Sequence, residues 1–108
     1  MKQLTLNQAW RLCLKQWKWI VENLDDEHGP EELKVAYLHK FGKGVRLCLN
    51  CYFCEYDANA DFGGCRNCPG KLVERRFHCN TNKSYSWRLN PRAFYAKLLE
   101  LDKKRKAK

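Results

Sequence analysis

The stretch CLNCYFCEYDANADFGGCRNCPGKLVERRFHC, residues 48–79, decides how this chain folds, because it holds six of the seven cysteines. Their order is Cys48-x2-Cys51-x2-Cys54-x10-Cys65-x2-Cys68-x10-Cys79. Two of the C-x2-C pairs, Cys51/Cys54 and Cys65/Cys68, have the spacing of a knuckle, in which a short turn aims two sulfurs at one ion. Two knuckles supply the four thiolates of a closed tetrahedral site, the usual home of structural Zn²⁺. The expected ligands are therefore Cys51, Cys54, Cys65 and Cys68. Cys48 and Cys79 are the substitutes, since equal ten-residue gaps let Cys79 replace a pair member and Cys48 lies one knuckle from Cys51. A site closed by four thiolates leaves no position for water or substrate, so no enzymatic activity is expected of it. Zinc binding is worth on the order of 10–16 kcal/mol in small zinc peptides. Residues 48–80 hold too few large apolar groups to fold without it.

Two other metal readings compete. Cys48-x2-Cys51-x2-Cys54 is like the opening of a bacterial ferredoxin run and Cys68-Pro69 like its close, but the x3 link between them is missing, which disfavours an iron–sulfur or redox protein. The spacing also departs from the binuclear six-cysteine site of fungal activators. Disulfides are disfavoured by the odd count and by the opening Met1-Lys2-Gln3-Leu4-Thr5, which lacks an apolar export segment. A reducing, cytoplasmic location is expected, and no run approaches membrane-spanning length.

Outward from the cysteines, the 108 residues read as one domain: a helical part over 1–47, the zinc-binding segment 48–80, and a final helix with a basic tail over 90–108. Thr5-x-x-Gln8 is a capping box. Leu6, Trp10, Cys13, Trp17, Ile20 and Leu24 then recur in helical steps, which predicts an amphipathic helix with Cys13 in its core face. Pro30 with Glu31 and Glu32 starts a second, shorter helix edged by Leu33, Tyr37 and Phe41, with Gly42 at its end. Asn90-Pro91 starts the last helix, striped by Phe94, Leu98 and Leu101. Val45–Leu49 and Leu72–His78 read as short strands, and 55–64 as a polar connection. The fold class is thus small and mainly α, metal-stapled through a Cys-rich zinc-knuckle segment, with at most one short β-hairpin.

The net charge of +9 is uneven: residues 1–47 carry +2, 48–70 carry −2, and 71–108 carry twelve basic against three acidic residues. Arg75, Arg76, Lys83, Arg88 and Arg92, with Tyr85 and Trp87 interleaved, are what a DNA- or RNA-binding face needs. The competing reading is that the terminal lysines offset the last helix's negative end and keep the domain soluble. Trp19 lies off the apolar stripe of the first helix and is a candidate exposed anchor for a partner protein. Nothing near His78 in the sequence supports general-base work.

The strings Cys51-Tyr52-Phe53-Cys54-Glu55-Tyr56 and Cys65-Arg66-Asn67-Cys68-Pro69, then Cys79 and Tyr85-Ser86-Trp87, resemble Cys-rich accessory proteins of bacteriophages and prophages of Gram-positive bacteria. The shared outline is a Trp-containing first helix, C-x2-C-E-Y, C-x2-C-P, a further Cys, a Tyr/Trp segment and a final helix. Cys48 and the basic tail fall outside that outline. The resemblance implies a phage-encoded zinc-binding accessory protein and attaches no activity to it. From these readings the expected function is non-catalytic binding. The first expectation is an anti-defence or anti-CRISPR-type inhibitor that engages a host or defence-system protein, including a nucleoprotein effector. The alternative is a nucleic-acid-binding zinc module using the basic final third.

Overall fold

Thr5 opens the first helix with the reciprocal pair its sequence predicts: the Gln8 amide donates to Thr5 Oγ1 at 3.1 Å and the Thr5 amide to Gln8 Oε1 at 2.9 Å. The computed structural model describes residues 5–42, 51–60, 68–79 and 84–107. Within them the chain forms α1 (Leu6–Asn23), α2 (Pro30–Phe41), α3 (Tyr52–Ala60), α4 (Pro69–Val73) and α5 (Pro91–Lys106). No strand occurs among the described residues. The molecule is therefore small and mainly helical. Among the described residues, no helix is long and apolar enough to cross a membrane.

Helix α1 is the central post. Its predicted stripe is buried at Trp10, Cys13, Trp17 and Ile20, and the helix packs against α2, α3 and α5. Trp10 meets Phe53 of α3 edge to face at 4.8 Å, and Trp17 meets Phe94 of α5 the same way at 4.8 Å. Pro30 and Pro91 occupy first-turn positions as expected, and Asn90 accepts the Ala93 amide at 3.4 Å. Leu98 and Leu101 complete the α5 stripe.

Two local expectations fail for the same reason. Residues 55–64 were expected to be a polar connection, yet the chain is helical through Ala60. Burial of Tyr52 and Phe53 against α1 nucleates a turn, in which the Glu55 amide reaches the Cys51 carbonyl at 2.9 Å, and the alanines beyond extend it. The strand expected over 72–78 is likewise absent. Leu72 and Val73 belong to α4, because Pro69 presets the first turn and the Leu72 amide bonds the Cys68 carbonyl at 3.1 Å. The chain then turns, and the Phe77 amide donates to the Glu74 carbonyl at 2.9 Å. A short apolar run cannot separate helix from strand by periodicity alone. The strand expected over 45–49 lies outside the described residues.

That turn drops Phe77 onto Gly70. The Phe77 ring is buried, stacked on Tyr85 at 5.7 Å with planes 10° apart, and a Cβ on Gly70 would lie 2.5 Å from two of its carbons. The ring has no room to retreat. Gly70→Ala is expected to destabilise the fold by about 1–3 kcal/mol, seen as a lower denaturation midpoint in metal-loaded protein. An unchanged midpoint would mean that α4 shifts freely over the ring.

The polar ties sit at the rim. Lys97 bridges Glu74 at 3.0 Å and Glu100 at 2.8 Å, fixing α5 to the end of α4. Asp102 holds Arg105 at 2.9 Å and Lys106 at 3.1 Å, and Lys104 lies 3.5 Å from Glu74. Part of the basic tail is thus matched by the chain's own carboxylates.

Candidate metal centre and partner surface

The cysteines gather where α3 and α4 meet α1. Cys51 immediately precedes α3, and Cys54 follows one turn later, so the C-x2-C spacing sets both sulfurs at one helix end. Cys68 is the N-cap of α4, and Cys79 follows the Phe77 turn, its carbonyl accepting the Trp87 amide at 2.9 Å. Cys13, Cys51 and Cys68 are buried in the core, with Cys54 and Cys79 packed against it.

The thiols act on one another. Cys51 accepts hydrogen bonds from the thiols of Cys13 and Cys54, and these, with the nearby Lys34 ammonium and the Cys54 amide, hold its pKa well below the ordinary thiol value despite burial. Cys54 is pushed up by its bond to Cys51, by burial, and by the charges of Cys51, Cys79 and Cys68. Burial pushes Cys68 up to about 12, opposed by the Gly70 and Lys71 amides, which face its sulfur without closing a capping hydrogen bond. Cys13 is raised well above the usual range by burial and by Cys51. Among these thiols, Cys51 is shifted toward its ionised form, while Cys13, Cys54 and Cys68 are shifted toward the neutral one.

Lys34 completes this surrounding. It is only 6% exposed, its Nζ stands 4.0 Å from the Trp87 ring centroid, and its carbonyl accepts from Gln16 Nε2 at 3.4 Å. The nearby Lys34 favours the ionised form of Cys51.

The gathered side chains are all thiols, the donor type that soft, thiophilic divalent ions take. Among the described residues, no three His, Cys, Asp or Glu side chains are arranged as a ligand set. Of the predicted ligands, Cys51, Cys54 and Cys68 are brought into one neighbourhood with the substitute Cys79. Cys65 and the substitute Cys48 lie outside the described residues.

Part of the predicted basic face is engaged with the protein itself. Trp87 is buried, with Lys34 on it and Arg88 4.8 Å from its centroid. Tyr85 is half-buried, stacked on Phe77, with Lys97 5.3 Å above it. Arg88 pairs with Glu31 of α2 at 3.4 Å, and Arg92 donates to the Val21 carbonyl of α1 at 3.3 Å. Arg75 and Arg76 are exposed at the turn after α4, and Lys83 lies outside the described residues. The two rings expected to stack on bases already have partners.

Trp19 is half-buried rather than standing free. It joins an aromatic patch with Tyr37 and Phe41, each 5.8 Å away, and Phe41 is 50% exposed with Lys40 above it. A separate cleft of about 140 Å³ is lined by Leu6, Trp10, Pro69, Leu72, Val73 and Arg105. It is smaller than the roughly 300–1,000 Å³ of small-molecule sites and suits no more than a side chain.

Family models, curated proteins and solved structures yield no match to this chain. The residues alone must carry the functional argument.

Two participants escaped the sequence reading. Cys13 was assigned to the core, which is correct for its burial but omits its bond to Cys51; no spacing rule links a helix-interior cysteine to a knuckle some forty residues on. Lys34 did leave a signal. It sits between Pro30 and Leu38 on the buried side of α2, and a lysine in such a position implies a charge partner in the core.

Proposed function

We propose that this chain is a non-catalytic binding protein whose middle is held by one Zn²⁺, and that it acts on a host or defence-system protein. The observation that carries the metal half is the assembly of the Cys51, Cys54, Cys68 and Cys79 thiols from three separate parts of the chain beside α1. Cys51, Cys54 and Cys68 are three of the proposed ligands, and Cys79 or Cys65 is the fourth. The metal would cross-link these elements, with no coordination position left for substrate. The Trp19–Tyr37–Phe41 cluster, of which Phe41 is exposed, supports the binding half, since aromatic residues are favoured anchors for protein contacts. The phage-protein resemblance supports the choice of partner class.

Elemental analysis of the purified chain tests the metal: one zinc per chain is expected, in colourless protein. Brown material containing iron and sulfide would replace this reading with an electron-transfer one. The partner half is tested by a stoichiometric complex with a purified defence effector, weakened when Trp19 is replaced by alanine.

The nucleic-acid alternative rests on the exposed Arg75 and Arg76 and the net charge of +9. With about five phosphates engaged, oligonucleotide affinity would fall by more than two orders of magnitude between 50 and 200 mM salt. Because Trp87, Tyr85, Arg88 and Arg92 are engaged internally, weak binding is expected, with a salt slope of about two charges or fewer. Fluorescence anisotropy across salt measures it, and a slope near five would favour the alternative.

A further inference from the structure

We propose that the cleft between the start of α1, α4 and the end of α5 is a docking site for an acidic segment of a partner protein, which seats one leucine-sized side chain there. The inference is independent of the zinc reading and adds a contact point distinct from the Trp19 patch. Trp10 and Trp19 lie nine residues apart, roughly 13 Å along α1 and on opposite sides of it.

The cleft encloses about 140 Å³, room for a side chain and for nothing larger. Its walls are Leu6 at the start of α1 and Leu72 and Val73 of α4, with the fully buried Trp10 behind them. Leu6 is 36% exposed and Leu72 51% exposed. A single exposed leucine is ordinary on a protein surface. Two that line one concave apolar site, each with surface still to remove from water, are what an incoming apolar side chain requires.

Charge selects the occupant. Arg105 is the cationic part of the lining, its guanidinium 4.9 Å from the Trp10 ring centroid and held by Asn7 and Asp102 at 2.9 Å each. Asp102 also meets Lys106 at 3.1 Å, so one carboxylate answers two cations. Lys71 adjoins Leu72, and Arg75 and Arg76 follow shortly after Val73. None of these three has a carboxylate partner among the described residues. The carboxylate nearest them in sequence, Glu74, is taken by Lys97 and Lys104. The rim is therefore positive, and the net charge of +9 acts in the same sense. Carboxylates flanking an apolar residue complement such a rim, whereas a basic segment is repelled. A nucleic acid would meet the cations but carries no aliphatic side chain to seat between Leu6 and Leu72.

The test titrates the full chain, isotopically labelled for NMR, with short synthetic peptides. The probe is Glu-Glu-Leu-Glu-Glu with blocked ends, beside one version with Ala for Leu and one with Lys for every Glu. Millimolar binding is expected, shifting the amide signals of Leu6, Leu72 and Val73 and the indole signal of Trp10 while leaving Trp19 and Phe41 unmoved. The Ala version is expected to bind about 10-fold more weakly. The Lys version is expected to leave these signals in place. Leu72→Gln is expected to weaken the Leu peptide about 5-fold or more. Should that variant lose its helical circular dichroism, Leu6→Gln on the other wall carries the same expectation. Equal affinity for the Leu and Ala peptides, or for the acidic and basic ones, would overturn the inference, as would the absence of any shift at these four residues. A single-stranded oligonucleotide that shifts the same signals more strongly than the Leu peptide would overturn it in favour of nucleic acid. Self-association of the free chain that Leu72→Gln abolishes would overturn it in favour of a second copy. Peptide binding that emerges only once residues 1–4 are removed would overturn it in favour of the chain's own opening residues.

Discussion

Chelation of the purified protein is expected to abolish its cooperative thermal unfolding and to cost much of its helical circular dichroism, with recovery on adding one equivalent of Zn²⁺. Cys51→Ser is expected to behave like the chelated wild type. The argument is one of magnitude. Metal binding by such a site is worth on the order of 10–16 kcal/mol. Whole domains of this size are stable by only about 5–15 kcal/mol. The remaining interactions cannot absorb that loss, because α4 spans five residues and α3 nine, lengths at which helices do not persist alone. Cys51 is the most sensitive position, since it accepts from both Cys13 and Cys54 and faces Lys34. A melting temperature unmoved by chelation in metal-containing protein would mean that the apolar core suffices.

Trp17→Ala is expected to produce the largest loss among core substitutions, about 3–5 kcal/mol. Trp17 is 1% exposed, and its ring is packed by Phe94 at 4.8 Å and Trp87 at 6.0 Å, so it joins α1 to α5 and to the segment before it. An alanine there leaves a cavity that these rigid rings cannot close. Trp17→Phe should cost much less. The indole N–H of Trp17 finds no acceptor among the described residues, so phenylalanine sacrifices volume but no hydrogen bond. Urea denaturation of the zinc-loaded variants checks this: the alanine midpoint falls well below the phenylalanine midpoint, with the slope unchanged. Equal midpoints would show that the site collapses around either residue.

The long helices were legible because their signals are local and redundant. The Thr5–Gln8 box, the 3.6-residue stripe from Trp10 to Ile20 and the Asn90-Pro91 start each determine the same outcome independently. The backbone of the cysteine segment was not legible. Cys51, Cys54 and Cys68 share one core neighbourhood, yet the local pattern of 52–60 and 69–73 was too short to choose helix. What decided those segments is non-local: Tyr52 and Phe53 pack on α1, and Phe77 on Gly70. The basic face shows the same limit. Alternating Arg, Tyr and Trp residues suggest an open stacking surface, but Lys34 and Phe77, distant in sequence, already occupy the rings. Composition gives the charge; only packing says which side chains are spent.

Arg105, near the end of α5, lies 4.9 Å from the Trp10 ring centroid and donates to Asn7 Oδ1 at 2.9 Å. The polypeptide therefore enters and leaves its described helices at one corner. Joining those two points with a short peptide would span little distance, and the entropy of closing such a ring grows only slowly with its length. A circularly permuted chain, reopened in the largely exposed 25–29 turn, would keep the α1–α5 seam continuous and place its new ends away from it.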